Sequence, residues 1–496
     1  MSGVEVACPG LCHKFAFQRM ADKRAPVILW FRRDLRLSDN PALQWALASG
    51  RAIVPVHIHD DALEDRPLGA ASRWWLHGSL ESLARDLSGR GSRLILKSGP
   101  AAGALVELAA QTGAGALAFN RLYDPGAAER EALVADMLPD LEIERRAAGW
   151  LAEPGSVLTG QGAPYRVFTP FAKAMQATLR LPPLSEAPSN LPAPPYWPDS
   201  ELLDGWGLRP RSPDWSTGFI GEPGEAGVRE QLAAFLADGL AAYPVARDAP
   251  GDEAGTSRLS PRLRFGEIAP WRALAAARAV AERRPGLSVA ASKFAAELAW
   301  RDFAAHLLFH FPTMAGANMR PAFDDMEWRD DPAGLAAWKT GMTGYPIVDA
   351  GMRQLWETGW MHNRVRMIVA SFLVKDLLID WRVGEAWFWD CLVDADPASN
   401  TMNWQWAAGT GVDAAPYFRV FNPTLQGERF DANGAYVRRW VPELAALPDR
   451  WIHRPADAPP AVRDAADLVL GRDYPLPIVD HAQARTRALE AWRRLK

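Results

Sequence analysis

The sequence has little cysteine, no long hydrophobic run and no excess of positive charge. Its 496 residues include only 3 cysteines, Cys8, Cys12 and Cys391, which are too few for a disulfide framework. No apolar stretch is long enough for a secretory signal or a membrane span, so we expect a soluble, cytoplasmic protein without a membrane partner. The formal net charge of -4 gives no sign of a nucleic-acid partner, although it leaves room for a local basic face.

A metal centre is not predicted either. Cys8, Cys12 and His13 are close in sequence, but a single cluster without a second ligand pair is a weak zinc signal. We interpret residues 1–25 as an N-terminal tail.

The first third of the chain lacks a glycine-rich phosphate loop but has an α/β pattern. Short β-rich runs alternate with Ala-rich and Leu-rich helical runs, which predicts buried parallel strands at residues 27–31, 52–58, 93–97 and 116–119. The first of these strands is followed by RRDLRLSDN, so the usual dinucleotide fingerprint is missing. We expect a doubly wound α/β domain over residues 26–155 that does not bind NAD in the usual way.

The rest of the chain changes character twice. From residue 182 to residue 223 it is rich in Pro, Ser, Asp and Trp and has no period, so we expect a long linker over residues 156–225. The pattern is then helical almost to the end, which predicts an all-α domain over residues 226–496. A chain of this length is expected to form more than one domain.

Tryptophan is abundant where tyrosine is scarce. The chain contains 22 tryptophans and 8 tyrosines, and the tryptophans are concentrated in its second half. Indoles serve as core filler, as stacking platforms for bases or as stations for electron transfer, and composition does not choose among these roles.

Two helical segments place polar groups on one face of an otherwise apolar helix. Glu297 shares a face with Trp300 and Arg301, because these positions are spaced i, i+3, i+4. Asn363 and the residues at 366 and 367 repeat the spacing. Two such faces can wall one pocket, since a buried charge is costly unless it is paired or bound to a ligand. For either segment alone, a satisfied salt-bridge network remains the simpler interpretation.

Two loops also carry polar side chains. Residues 256–260 precede Pro261 and suit a helix N-terminus that holds phosphate, or an ordinary N-cap. Asp394 and Asp396 could be a metal pair, but no His or Glu stands nearby, so we favour hydrogen bonds to a ring system.

Five motifs in order resemble the photolyase/cryptochrome family. They are WFRRDLRLSDNPAL, TSRLSP, ELAWRDF, TGYPIVDAGMRQLWETGWMHNRVRM and DADPASNTMNWQWAAGTGVDAAPYFRVFNP, and the resemblance extends from residue 27 to about residue 481. It implies a Rossmann-like α/β domain that can hold a light-harvesting chromophore, and an all-α domain that binds FAD.

The resemblance also implies the residues of a cofactor site. The phosphates and ribityl chain would contact Tyr243, Thr256, Ser257, Arg258, Leu259 and Ser260, with Asn363 near the adenine. Arg366 paired with Asp394 would lie along the flavin ring, and Asp396 and Asn400 would bond its polar edge. Glu297, Arg301 and Ala395 complete the implied cofactor set.

Substrate and electron transfer fall on other residues. Trp300 and Trp406 resemble the family's two stacking walls, while Glu297 would bond the base edge and Met367 would contact the dimer, with Asn363 and Asn400 completing the catalytic set. Arg247, Arg364 and Arg419 are candidates for contacts to backbone phosphates. Trp404, Trp381 and Trp328 match the family's electron relay; core indoles are the alternative for each one separately.

The branch we expect is a bacterial photolyase for cyclobutane pyrimidine dimers, from a subgroup close to plant cryptochromes. The segment from Ser72 to Leu76 resembles plant cryptochromes, but Asn400 stands where they carry an acid, and Trp406 is kept. The alternative is a blue-light receptor. A (6-4) photolyase is more remote, because Asn363 and Met367 occupy the positions of its histidine pair. An ordinary flavoprotein oxidoreductase would need a nucleotide fingerprint that is missing.

The second chromophore is harder to predict. Residues 120–129 depart from the folate-binding Asn-Glu pattern and leave Glu129 as the only candidate. The segment from Ser72 to Leu76 favours 5,10-methenyltetrahydrofolate. We expect the protein to act on UV-damaged DNA as a monomer.

Overall fold

A computed structural model describes residues 25–60, 66–219, 221–417 and 419–495. Cys8, Cys12, His13 and nearly all of the predicted tail lie outside the described residues.

The N-terminal part is a parallel sheet wrapped by helices. Its five strands, β1 (Val27–Phe31), β2 (Ile53–His59), β3 (Ile95–Ser98), β4 (Ala116–Asn120) and β5 (Glu142–Arg146), follow the order β3-β2-β1-β4-β5. The helices between them are α1 (Pro41–Ala48), α2 (Ala70–Ser88), α3 (Ala101–Thr112) and α4 (Ala127–Met137). The predicted doubly wound fold is therefore confirmed.

Both faces of the sheet are buried, as parallel sheets require. Val27, Leu29 and Phe31 of β1 point into one apolar cluster, whereas Ile28 and Trp30 point into another on the opposite face. Successive strand residues alternate between faces, so a continuous apolar run such as VILWF fits a strand that helices cover on both sides.

The sequence did not predict β5. Its sequence EIERR is charged and its ends are exposed. It lies at the edge of the sheet and pairs with β4 in parallel register. Charged side chains are common on such edge strands, because they can stay in contact with water.

Much of the expected linker follows the α/β domain, but it also contains a helix. Helix α5 (Phe168–Thr178) was not predicted, and a 3-10 turn, Leu203–Trp206, lies further along the described part of this segment. The backbone N–H of Ile53 donates to the carbonyl of Pro192 at 2.8 Å, which fastens this segment to β2. The predicted domain boundaries stay a prediction.

The C-terminal part is helical, as predicted. Its helices are α6 (Glu225–Ala234), α7 (Leu240–Ala246), α8 (Ser260–Arg264), α9 (Pro270–Arg283), α10 (Ser288–His310), α11 (Pro332–Thr340), α12 (Pro346–Thr358), α13 (Asn363–Ser371), α14 (Trp381–Cys391), α15 (Pro397–Ala408), α16 (Pro423–Phe430), α17 (Ala435–Trp440), α18 (Asp449–Ile452), α19 (Pro460–Ala465) and α20 (His481–Arg494). Within the described ranges, no helix has the length and apolar character that crossing a membrane would need. The 23-residue helix α10 packs against α5, α7, α9 and α15 and forms the spine of this part.

Candidate functional site

A cavity of about 480 Å³ opens between α10, α13 and α15. This volume lies in the usual range of cofactor sites, about 300–1,000 Å³. Of the residues singled out from the sequence, the lining contains Arg247, Ser260, Glu297, Trp300, Arg301, Asn363, Arg364, Arg366, Met367, Asp394, Ala395, Asp396, Asn400, Trp404 and Trp406. The two polar helix faces therefore meet at one cavity.

On α10, Glu297 is paired across the cavity mouth. Its carboxylate forms a salt bridge with Arg247, which follows the last residue of α7. Burial alone would lower the pKa of Arg247, but the contact with Glu297 outweighs it and raises the pKa above its usual value. Arg247 is thus charged at neutral pH.

Arg301 is half-buried and fixed by main-chain acceptors. Its guanidinium donates to the carbonyls of Gly149 at 2.7 Å and Leu263 at 3.2 Å. It also lies 3.9 Å from the ring centroid of Trp150. Burial lowers its pKa, and the neighbouring Asp302 counteracts that effect.

The second polar face begins with a histidine cap. His362 precedes α13 and is buried, and its Nδ1 accepts a hydrogen bond from the backbone N–H of Arg364 at 3.2 Å. Burial lowers the pKa of His362 to about 4, so the ring is neutral at physiological pH. The cap holds the first turn of α13, which presents Asn363, Arg366 and Met367 to the cavity.

Three buried polar atoms at the cavity have no hydrogen-bond partner within the described residues, and one of them is Nε of Arg364. Arg366 donates to Asp394 Oδ2 at 2.9 Å, but Asp394 Oδ1 has no hydrogen-bond partner. The Nε1–H of Trp360 is also unsatisfied. Unpaired buried donors and acceptors are costly, so a ligand with ring polar atoms fits this wall.

Asp396 provides a negative charge in the lining of the cavity. It caps α15 by accepting from the backbone N–H of Ser399 at 2.8 Å. Burial would raise its pKa, but Arg264 and Arg301 outweigh burial and hold the pKa below its usual value. An ionised carboxylate thus faces whatever the cavity binds.

Asn400 belongs to a chain of contacts that the sequence did not reveal. Its Nδ2 donates to Glu385 Oε1 at 2.7 Å, and both side chains are buried. The guanidinium of Arg66, in the α/β domain, donates to Oε1 and Oε2 of Glu385 at 2.5 and 2.9 Å. No sequence signal could have found this chain, because Arg66 and Glu385 lie 319 positions apart.

Aromatic side chains form two walls. Trp300 and Trp406 both line the cavity. Phe168, the first residue of α5, stacks on Trp300 with ring centroids 3.6 Å apart and planes 7° apart. Phe168 was missed because it lies in the segment predicted to be a linker.

The predicted relay tryptophans share one apolar cluster. Trp404 lines the cavity, whereas Trp381 is fully buried and donates Nε1–H to Asn318 Oδ1 at 2.9 Å. Trp328 is half-buried and packs against the same cluster.

Other predicted residues lie around the cavity or away from it. Thr256, Ser257, Arg258 and Leu259 form the loop before α8, and Tyr243 is buried on α7. Arg364 forms a salt bridge with Asp248 at 2.7 Å, and Arg419 is exposed. Glu129 is exposed in the first turn of α4. No cluster of potential metal ligands was found in the described part of the chain.

Comparison with known proteins identifies the family. Residues 27–194 match the DNA photolyase family, and residues 294–494 match the FAD binding domain of DNA photolyase. The chain is 50% identical over 481 residues to the deoxyribodipyrimidine photo-lyase of Agrobacterium fabrum, covering 96% of this chain and 99% of the relative. The chain belongs to the photolyase/cryptochrome family. Its helical part is thus the FAD-binding domain of that family.

Both branches of the photolyase/cryptochrome family are among the relatives. The crystal structure of a bacterial class III photolyase from Agrobacterium tumefaciens superposes with a TM-score of 0.92 at 49% identity, covering 95% of this chain and 98% of that one. Cryptochrome-1 of Arabidopsis thaliana is 38% identical, covering 94% of this chain and 70% of the cryptochrome.

Proposed function

We propose that the protein repairs cyclobutane pyrimidine dimers in DNA by light-driven electron transfer from reduced FAD to a flipped-out dimer. The observation that carries the proposal is the composition of one cavity, which joins a polar wall suited to a flavin with two indoles suited to bases. The names of the deoxyribodipyrimidine photo-lyases at 50%, 40% and 39% identity support it.

The polar wall would hold the flavin. Asp394, positioned by Arg366, has a free acceptor atom, and Asp396 is an ionised acceptor nearby. Asn400 is fixed by Glu385, which turns its amide hydrogens away and leaves Oδ1 as the atom for a ligand. When bound and reduced, FAD supplies the electron that splits the dimer on absorbing light.

The mouth of the cavity would hold DNA. A dimer must leave the duplex stack to reach the cavity, where Trp300 and Trp406 offer faces for its rings. A DNA phosphate that binds Arg247 would weaken the salt bridge between Arg247 and Glu297. The Glu297 carboxylate could then accept a hydrogen bond from the edge of a base. Met367 would lie against the dimer, and Arg364 and Arg419 would contact further phosphates.

The geometry argues against (6-4) repair. His362 is the one histidine of the segment 360–367, and it is buried as a neutral helix cap with a pKa of about 4. It therefore offers no protonated imidazole to the cavity at neutral pH. Blue-light reception remains the alternative, since cryptochromes share this fold.

Further parts of the proposal concern the relay, the second chromophore and the state of the protein. We propose that Trp404, Trp381 and Trp328 reduce oxidised flavin after light absorption. We keep 5,10-methenyltetrahydrofolate as the proposed antenna, although Glu129 is exposed. We propose that the protein acts as a cytoplasmic monomer.

The experiment uses reduced holoenzyme and an oligonucleotide with one thymine dimer. Under blue light, the absorbance of thymine should recover, and an identical sample in darkness should show no recovery. If FAD is bound and reduced but light restores nothing, repair is excluded and reception becomes the better proposal.

A further inference from the structure

One face of Trp300 is already covered. Phe168 stacks on the indole almost in parallel, with a ring separation of 3.6 Å. Trp300 also lines the cavity, so only its uncovered side is open to a base. The position of Phe168 therefore sets the position of the Trp300 ring at the cavity.

Helix α5, which begins at Phe168, has no cap of its own. Val167 precedes it and carries no hydrogen-bonding side chain. Instead, Asp413 Oδ2 accepts from the backbone N–H of Phe168 at 2.7 Å. A carboxylate at a helix N-terminus satisfies a free donor and interacts favourably with the helix dipole. Asp413 thus fixes the start of α5.

The loop that contains Asp413 is also tied to the other wall. The backbone N–H of Ala415 donates to the carbonyl of Trp406 at 3.2 Å. Val412 packs in the apolar cluster that includes Phe168 and Trp300. One short loop therefore connects Trp406 to the residue that positions Trp300.

We propose that Asp413 is a positioning residue that sets the gap between Trp300 and Trp406, and through it the preference for a pyrimidine dimer over a single flipped base. The inference rests on the proposed function, in which these indoles bind the dimer. A dimer contains two linked rings. If the gap between Trp300 and Trp406 fits both rings, it is too wide for the two indoles to stack on a single base at the same time. A looser gap weakens dimer binding more than binding of undamaged DNA, which depends on phosphate contacts.

The test measures the affinities of FAD-loaded protein for one duplex with and without a thymine dimer, in darkness, by fluorescence anisotropy. Asp413→Ala should lower the ratio of the two affinities by about tenfold, as expected for a disturbed base stack. Asp413→Asn should restore the ratio to within about twofold of wild type, since its amide oxygen still accepts from Phe168. Phe168→Leu should lower the ratio as Asp413→Ala does, and it provides the test if Asp413→Ala does not fold.

The matched control is Asp480→Ala, which removes the carboxylate that caps α20 by accepting from Gln483 at 2.8 Å, away from the cavity. This variant should keep the wild-type ratio. An unchanged ratio in Asp413→Ala, or an equal loss in both alanine variants, overturns the inference. A wild-type protein without preference for the dimer overturns the proposed function and this inference with it.

Discussion

At the scale of single residues, the arginines at the cavity mouth are paired with acids. Arg247 contacts Glu297, and Arg364 contacts Asp248. Each of these arginines is therefore held by an acid, and the chain as a whole carries a formal net charge of -4. Under the proposed function, DNA phosphates would replace the acids, so a local basic face would form only on binding.

Arg364→Ala should weaken binding of damaged DNA and make it less sensitive to salt. Each phosphate contact contributes about -0.9 to the slope of log affinity against log salt, so the slope should flatten by roughly one unit. Affinities measured over a range of salt concentrations check this. Asp248→Asn is the matched control, because it leaves Arg364 free and should preserve the slope. If Arg364→Ala changed neither affinity nor slope, the arginine would be structural.

Trp328→Phe should slow photoreduction of oxidised flavin while repair by pre-reduced protein continues. The half-buried Trp328 is the outermost indole of the proposed relay, so it serves the redox state of the flavin and not the dimer. Flavin absorbance during illumination measures the first rate, and thymine absorbance measures the second. Trp440→Phe controls for loss of an indole from the same cluster. Equal photoreduction rates in Trp328→Phe and wild type would mean that the electron takes another route, for which Trp387 is a candidate.

At the scale of elements, the helices with polar faces were predictable, whereas β5 and α5 were not predicted. The spacing of Glu297, Trp300 and Arg301 fixes their common face, because a helix turn is 3.6 residues. By contrast, β5 is charged and lacks the apolar alternation of a half-buried strand. Helix α5 does have a helical apolar period in Phe168, Phe171 and Met175, but this short run lies in a segment that was interpreted as a linker. Because α5 was not predicted, the support that Phe168 gives to Trp300 was not predicted either.

His362→Ala should loosen the first turn of α13 and weaken FAD binding. A lost N-cap costs about 0.5–2 kcal/mol, and α13 carries Asn363 and Arg366 into the cavity. His362→Asn should largely restore binding, since Asn is also a good cap. Fluorescence titration of apoprotein with FAD measures both affinities. Equal losses in the two variants would contradict the role of the cap.

The same histidine should contribute to acid sensitivity. Its pKa is about 4 in the folded protein and about 6.5 when unfolded, so the unfolded chain binds more protons between these values. The free energy of unfolding should therefore fall as the pH drops from 6.5 towards 4. Urea unfolding of wild type and His362→Asn across this window checks the sign, because the variant should lose less stability.

At the scale of the whole molecule, the two domains are joined through the cavity wall. Arg66 of the α/β domain forms a salt bridge with Glu385 of α14, and Glu385 accepts a hydrogen bond from Asn400. The domain order and both fold classes followed from local sequence patterns. Contacts between the domains could not follow from them, because they depend on how two finished surfaces meet.

Arg66→Ala should destabilise the protein more than loss of a surface ion pair. Glu385 would remain as a buried carboxylate without its cation, and we expect a cost of about 1–3 kcal/mol, reduced from a fully buried pair because water reaches the arginine. Arg209→Ala is the control, since its pair with Glu81 is exposed on both sides and is worth at most about 1 kcal/mol. Urea unfolding with flavin retention measures both. Equal costs would show that Glu385 does not need Arg66.

The bond from Asp413 to Phe168 also has a consequence for the order in which the protein is made. Its two residues lie 245 positions apart. A ribosome releases the chain from the N-terminus at about 5–20 residues per second, and domains fold as they emerge. Trp300 therefore leaves the ribosome seconds before Asp413 can fix its support, and Trp406 follows only shortly before Asp413. A growing chain can complete its parallel sheet early, but the proposed dimer-binding gap between Trp300 and Trp406 cannot be fixed until Asp413 has emerged.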